Sequence, residues 1–397
     1  MPSPLNVCLI GTKFMGRTHS NAYSQVNKFF ADLPRQAVMH TLCGRNRAET
    51  EAFAKAWGWQ TASVDWQAAV ANPDIDLVDV GTPNHVHRDM ALAALEAGKD
   101  LACEKPLAGK LDEAREMVEA AKAHPERKTY VWYNYRRCPA LALAHQLVKA
   151  GRLGRLYHVR GFYLQDWAGP DTPMVWRFKG DIAGSGSLGD LCAHSIDAAR
   201  FVTGEEFESV SGAILETFIT ERKVMEGGGG EISGHGAAAS DTMEKSTVDD
   251  AALFTARFTG GAVATFEATR LSAGDKNGNR LEVHGEKGSI KWNFERLHEL
   301  QWYDNTLPPS EQGWSTINVS DAGAGHPYAE AWWPTAHSIG YEHGFINQAA
   351  DMLRDLGGVA PVVPLPDFAD AFETQKVLAA VQQSAADGRT VQLAEIE

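Results

Sequence analysis

Asn6-Val7-Cys8-Leu9-Ile10-Gly11-Thr12-Lys13-Phe14-Met15-Gly16 is the stretch that decides the fold. Its first five residues form an apolar run suited to a buried strand, and a helix is expected from about residue 16 to 30. In the dinucleotide-binding fingerprint the first glycine makes the tight turn and the second lets the backbone approach a pyrophosphate. The third lets the helix pack on the strand. Gly11 and Gly16 hold the first and third places, and Lys13 stands at the second. A helix N-terminus in this position favours phosphate. Gly11, Lys13, Phe14, Met15 and Gly16 are therefore candidate cofactor contacts, with NAD or NADP as the cofactor. The second strand ends Cys43-Gly44-Arg45-Asn46, without the acid that binds an NAD ribose. Arg45 suits a ribose 2′-phosphate or an adenine face. That tilts toward NADP and leaves NAD open.

Outward from this turn, apolar runs at Asn6–Ile10, Val38–Cys43, Leu77–Val80, Lys99–Cys103 and Thr129–Trp132 alternate with helical segments near 47–57, 65–71, 86–97 and 110–123. Gly58 and Gly98 follow two of those helices, where left-handed caps belong. The rhythm is that of parallel βαβ units. After about residue 135 it changes to longer alternating runs: Leu156–Trp167, Val210–Thr220, Ala251–Thr259, Ala262–Arg270, Leu281–Val283 and Ser289–Phe294. These imply a mostly antiparallel sheet. The expected class is α/β, an N-terminal Rossmann doubly wound parallel sheet plus a C-terminal α+β domain with a large, mostly antiparallel open sheet. The domains are expected at 1–134 and 135–397, with a long loop at 221–248, an irregular Trp-rich stretch around 303–340 and C-terminal helices within 343–386.

With 397 residues the chain has length for two or three domains. A net charge of −14 argues against a protein that binds nucleic acid through a basic face. Cys8, Cys43, Cys103, Cys138 and Cys192 are widely spaced and read as reduced core thiols. No secretory signal and no run of 18 apolar residues is visible, so a cytoplasmic protein without a membrane partner is expected.

Two strand-end loops carry further candidates. Thr82-Pro83-Asn84-His85-Val86-His87 follows the Leu77–Val80 run, and Glu104-Lys105-Pro106 follows Lys99–Cys103. Ligands of open parallel sheets bind beyond the strands' carboxyl ends. Lys105 is placed to point an ammonium there, and Pro106 to hold the turn, through a cis bond or otherwise. His85 and His87 lack the further ligands a metal site needs, so no metal is expected. Asp190 and His194 stand four apart, on one face of a helix starting near Leu188.

The order Gly11…Gly16, Thr82-Pro83-Asn84-His85 and Glu104-Lys105-Pro106 resembles the glucose–fructose oxidoreductase/inositol dehydrogenase (Gfo/Idh/MocA) family. So do Asn134-Tyr135-Arg136-Arg137 and Gly184 through Asp197. Tyr163–Trp167, Trp176-Arg177-Phe178 and His326-Pro327-Tyr328 look most like its levoglucosan dehydrogenase-like branch. The resemblance implies a catalytic trio of Lys105, Asp190 and His194. Imidazole titrates near neutrality, which suits His194 as general base. Lys105 suits a developing alkoxide, and Asp190 suits orienting a hydroxyl or the base. Thr82, Pro83, Asn84, His87, Glu104 and Lys105 join the cofactor contacts, and Arg136, Tyr163, Trp167, Arg177, Asp190 and His194 are the substrate candidates. Arg136 and Arg137 have a second reading, as partners of nearby acids. Tyr133, Trp176 and Trp333 are further aromatic candidates, at least half of such residues being plain core.

The activity implied is NAD(P)-dependent hydride transfer to or from a secondary hydroxyl of a sugar, anhydrosugar, glycoside or cyclitol. A small carbohydrate is the expected partner, with a homodimer or homotetramer formed through the open face of the C-terminal sheet. Two other readings compete: a glycoside-cleaving enzyme working through transient oxidation, and a non-catalytic dinucleotide-binding regulator.

Overall fold

A computed structural model of the chain describes residues 2–225 and 239–396. The chain forms two compact units, Met1–Arg137 with Gly340–Phe372, and Cys138–Ile339 with Glu373–Glu397.

In the first unit β1 (Ser3–Ile10), β2 (Arg35–Cys43), β3 (Thr61–Ser63), β4 (Leu77–Val80), β5 (Asp100–Cys103) and β6 (Thr129–Val131) form one sheet in the order β3-β2-β1-β4-β5-β6. Every pairing is parallel. Helices α1 (Phe14–Phe29), α2 (Arg47–Trp57), α3 (Trp66–Ala71), α4 (His87–Glu96) and α5 (Leu111–Ala123) fill the crossovers. All four residues of β4 are buried, as a central parallel strand covered on both faces requires. Strand order reverses where β1 meets β4, so the ends Ile10 and Val80 lie side by side. That is the switch point at which such sheets bind ligands. Strand β3, three residues long, is too short to form a recognisable apolar run in the sequence. Gly58 and Gly98 take the expected left-handed conformation, at φ 82° and 69°.

The division of the chain differs from a single boundary at 134, because the helix Tyr341–Leu356 returns to the first unit. Its Gln348 Nε2 donates to Val131 O at 2.8 Å, and Asn347 Nδ2 to Arg137 O at 3.0 Å. Burying two amides costs free energy unless they are bonded, and these bonds fix the helix's place.

The second unit is built on a sheet of nine strands among the described residues. Its strands are β7 (Leu156–Leu164), β8 (Phe207–Glu216), β11 (Ala251–Phe258), β12 (Val263–Thr269), β13 (Gly278–Gly285), β14 (Gly288–Asn293), β15 (Glu299–Asp304), β16 (Trp314–Asn318) and β17 (Val391–Gln392). Two more strands, β9 (Glu221–Met225) and β10 (Ala239–Lys245), pair only with each other. The order is β16-β15-β14-β13-β7-β12-β11-β8-β17, antiparallel except between β12 and β7. Along β11, Ala252, Phe254, Ala256 and Phe258 point into the core while Leu253, Thr255 and Arg257 are exposed. The helix Ala193–Thr203 covers the inner face and is buried along its whole length.

Two sequence expectations change here. The ends of the 221–248 stretch are paired strands, not loop, with Lys245 opposite Glu221 and the fully buried Arg222 anchoring β9. Residues 226–238, with the Gly227–Gly230 run, lie outside the described residues. The 303–340 stretch contains β16, which pairs with β15 and extends the sheet edge. No helix among the described residues is long and apolar enough to cross a membrane. All five cysteines are buried and unpaired with one another; burial pushes the Cys43 thiol up to about 11, away from thiolate chemistry.

Candidate active site

The switch point of the first unit is shaped by glycine. Gly11 sits at φ 132°, and a Cβ on it would lie 2.5 Å from Gly81 O, so a side chain there would drive the two strand ends apart. A Cβ on Gly16 would meet Gly11 O at 2.3 Å. Helix α1 then starts without a side-chain cap and without an acid in its first turn. The positive end of a helix, left uncapped beside a glycine turn, is a cradle for an anion. These residues fit the pyrophosphate of a dinucleotide, with Gly11, Phe14, Met15 and Gly16 as the ones that would hold it.

Lys13 fits less directly. It is exposed, and its Nζ lies 3.1 Å from Glu49 Oε2 on the first turn of α2. An exposed pair of this kind contributes little to stability, but it shares the lysine's charge. Arg45 is exposed after β2, with no acid from Gly44 to Arg47 to contest an anion.

The strand-end loops are tied together by His87. Its ring is fully buried, with Nε2 2.9 Å from Thr82 O and Nδ1 3.2 Å from Pro106 O. Burial lowers its pKa, against the pull of these carbonyls. His87 was expected to touch cofactor; its imidazole instead fixes the loop bearing Thr82 and Pro83 against the one bearing Pro106. Asn84 is buried as well, while Thr82 and Pro83 stay partly exposed. Glu104 is also buried. Its Oε2 accepts from Lys105 N at 3.1 Å, and its Oε1 lies 3.1 Å from His19 Nε2. Lys105 itself is partly exposed at the end of β5, and the Lys105–Pro106 bond is cis. Arg136 follows its second reading: it is buried and ion-paired with Asp370, over the ring of the core residue Tyr133. Arg137 is fully buried, donating to Val363 O and Pro364 O.

In the second unit Asp190 and His194 come from one continuous helical run, a π-turn over Leu188–Cys192 leading into Ala193–Thr203. π-turns inside helices are often found at functional sites. The run starts as it does because Asp249 accepts from Gly186 N at 2.7 Å and from Leu188 N at 2.8 Å. Burial raises the Asp249 carboxyl, and these two amides oppose the rise. Asp190 Oδ2 lies 3.5 Å from Arg270 Nη1 and 3.7 Å from Arg177 Nε. Two guanidinium groups therefore face this one carboxylate. Arg270 is fully buried, its guanidinium 5.5 Å from the Trp167 ring centroid and 5.2 Å from that of Phe178.

His194 is buried beside Tyr163, ring centroids 6.0 Å apart. From there a polar line runs along the strand end. Tyr163 Oη donates to Asn277 Oδ1 at 2.6 Å, Gln165 Nε2 donates to the same oxygen at 2.8 Å, and Trp167 Nε1 donates to Gln165 Oε1 at 2.6 Å. Tyr163, Trp167, Arg177, Asp190 and His194 thus belong to one neighbourhood of the second unit. Arg177 also stacks on Trp176, and Trp333 is about half exposed.

Arg270, Gln165 and Asn277 were not singled out from sequence. For Arg270 a signal existed: it continues the inward phase of Ala264, Phe266 and Ala268, so period-two alternation places a charge on the core face. Asn277 comes from a loop and carries no such pattern. No group of three or more metal-ligating side chains is assembled among the described residues.

Comparison with known proteins agrees with this anatomy. Residues 5–133 match the model of an oxidoreductase family with an NAD-binding Rossmann fold, and residues 141–291 match the GFO/IDH/MocA C-terminal domain. Levoglucosan dehydrogenase of Pseudarthrobacter phenanthrenivorans is 39% identical over 394 residues, 99% of both chains. A crystal structure of an oxidoreductase domain protein from Kribbella flavida is 42% identical, with a TM-score of 0.91 over 99% of this chain and 100% of the other. A levoglucosan dehydrogenase in complex with NADH and levoglucosan is 38% identical, with a TM-score of 0.90 over 98% and 99%. The first unit is an NAD-binding Rossmann domain, and the chain belongs to the Gfo/Idh/MocA family of oxidoreductases.

Proposed function

We propose that the protein oxidises a secondary hydroxyl of a compact sugar or anhydrosugar, levoglucosan first among them, using NAD. The observation that carries this reading is the line Tyr163–Asn277–Gln165–Trp167 beside His194. Hydroxyl and amide groups next to an indole face are what a polyol ring requires: bonds for its edge and an apolar wall for its C–H face. The full-length likeness to a levoglucosan dehydrogenase supports the choice of ring. The structure of a levoglucosan dehydrogenase with NADH supports NAD. Arg45 is the feature that favours NADP.

Bound nicotinamide supplies the hydride acceptor. Of the chain's own groups, His194 takes the hydroxyl proton as general base. Lys105 stabilises the oxygen's developing charge, and Asp190, held by Arg177 and Arg270, orients the reacting hydroxyl. The alcohol loses a hydride from carbon and a proton from oxygen, leaving a ketone.

The test is nicotinamide absorbance with NAD and with NADP against levoglucosan, glucose, glycosides and inositols. We expect reduced NAD in step with levoglucosan consumed, and a kcat at least about a hundredfold lower in Lys105→Met. Glycoside cleavage without net NADH would replace this reading with the glycoside-cleaving one. Dinucleotide binding with no sugar oxidised would point to a regulator.

We propose further that the protein is a homo-oligomer. Ile214, Leu253 and Val263 are exposed on the outer face of the large sheet, with Leu253 directly opposite Ile214. Apolar side chains presented in register support a face that a second copy covers.

A further inference from the structure

Strand β4 reads Leu77-Val78-Asp79-Val80, and its one carboxylate is fully buried in the middle of the parallel sheet. A buried acid needs donors, and Asp79 has them. Tyr23 Oη donates at 2.8 Å and Trp132 Nε1 at 3.0 Å, and His19 Nδ1 lies 3.1 Å away as an ion-pair contact. The other nitrogen of His19 lies 3.1 Å from Glu104 Oε1. His19 is itself fully buried, one turn into α1 beyond Gly16. It stacks on the Trp132 indole at 4.3 Å and lies 5.8 Å from the Phe345 ring.

An imidazole with a carboxylate oxygen at each nitrogen is best satisfied when both nitrogens carry protons. Burial alone would push its pKa down; the charges and hydrogen bonds of Asp79 and Glu104 outweigh that and hold it at about 9. A cation enclosed by apolar walls and two acids is a rigid joint, since moving either acid away leaves a buried charge unanswered. One of those acids is Glu104, whose second oxygen takes the main-chain N–H of Lys105.

We propose that His19 is a positioning residue for Lys105: bridging Asp79 and Glu104, it fixes the carboxylate that holds the Lys105 main chain, and so couples the helix after the glycine turn to the lysine-bearing turn. The proposal rests on the reading of Lys105 as the cation that meets the substrate hydroxyl.

The test compares His19→Gln, Glu104→Gln, their double variant, Lys105→Met and, as a stability control, Tyr130→Phe. Tyr130 bonds Asp355, away from the bridge. His19→Gln and Glu104→Gln are each expected to lower kcat about tenfold to a hundredfold, with KM for the sugar within about twofold. The double variant is expected to be no worse than the poorer single one, as members of one unit behave. Tyr130→Phe is expected to lower Tm and leave kcat unchanged. A His19→Gln enzyme that loses Tm but keeps wild-type kcat overturns the proposal. Should His19→Gln not fold, the kcat-against-KM split of Glu104→Gln decides in the same way. Nitrogen-15 spectra of wild-type imidazoles give a readout that needs no variant. A doubly protonated ring at pH 8, close to the Trp132 indole N–H, supports the bridge, and a neutral ring there overturns it. If Lys105→Met abolishes turnover while His19→Gln does not, the bridge alone fails. If Lys105→Met turns over normally, it is the role of Lys105 that fails.

Discussion

Residue by residue, the costliest groups in the first unit are its buried charges, and His19 has the clearest dependence on pH. Its pKa is about 9 in the folded chain against 6.5 for a free imidazole. A group whose pKa is raised by folding stabilises fully below the unfolded value and loses that contribution as pH rises through the folded one. The contribution, on the order of 3 kcal/mol, should therefore be complete below pH 6.5 and decline from there to about pH 9. Urea midpoints measured across that range should fall in the wild type and stay flatter in His19→Gln. Equal slopes would mean that His19 is not charged. Little of this was visible in sequence. Lys105 announced itself by its place at a strand end. His19 and Asp79 are 60 residues apart in the chain, and only the parallel pairing of β1 with β4 brings α1 over the acid.

At the scale of elements, the start of the Asp190–His194 helix is the most constrained feature of the second unit. A Cβ on Gly186 would lie 1.8 Å from Asp249 O, a backbone atom that cannot turn aside. Gly186→Ala must displace either the helix start or the loop before β11 that bears Asp249. A cost of about 2–3 kcal/mol is expected. Because Asp190 N bonds Gly186 O, the same variant should lower kcat as well as Tm, and an unchanged kcat would show that the helix start adjusts freely. The helices and most strands were legible because each carries a period, 3.6 residues or two, over enough positions to count. The four-residue spacing of Asp190 and His194 was legible for the same reason, although the first part of that helix is a π-turn. Strands β3, β9, β10, β15, β16 and β17 were missed: pairing with a neighbour, rather than a pattern in their own residues, makes them strands.

For the whole molecule, the two-unit layout followed from the change of rhythm near residue 135, but the return of Gly340–Phe372 to the first unit had no local signal. Amphipathic helices look alike whichever sheet they cover. The outer face of the large sheet makes a prediction at this scale. Leu253→Glu combined with Ile214→Glu places like charges directly opposite one another on adjacent strands, where a second copy would have to cover them. Light scattering should show the wild type as an oligomer and the double variant as a smaller species with retained secondary structure. The same mass for both would remove this face as the interface.

The divided first unit also sets the order in which the nascent chain can acquire its structure. When Arg137 has left the ribosome, all six strands of the first sheet exist, yet Phe345, Gln348 and the rest of their helix have not been made. About 200 residues must follow first, roughly 10–40 s of synthesis. During that interval the Val131 carbonyl lacks its Gln348 donor, and the Trp132 indole lacks its Phe345 neighbour. The cofactor-binding unit of this enzyme, though begun before the second unit, is completed only after Cys138–Ile339 of that unit has been made.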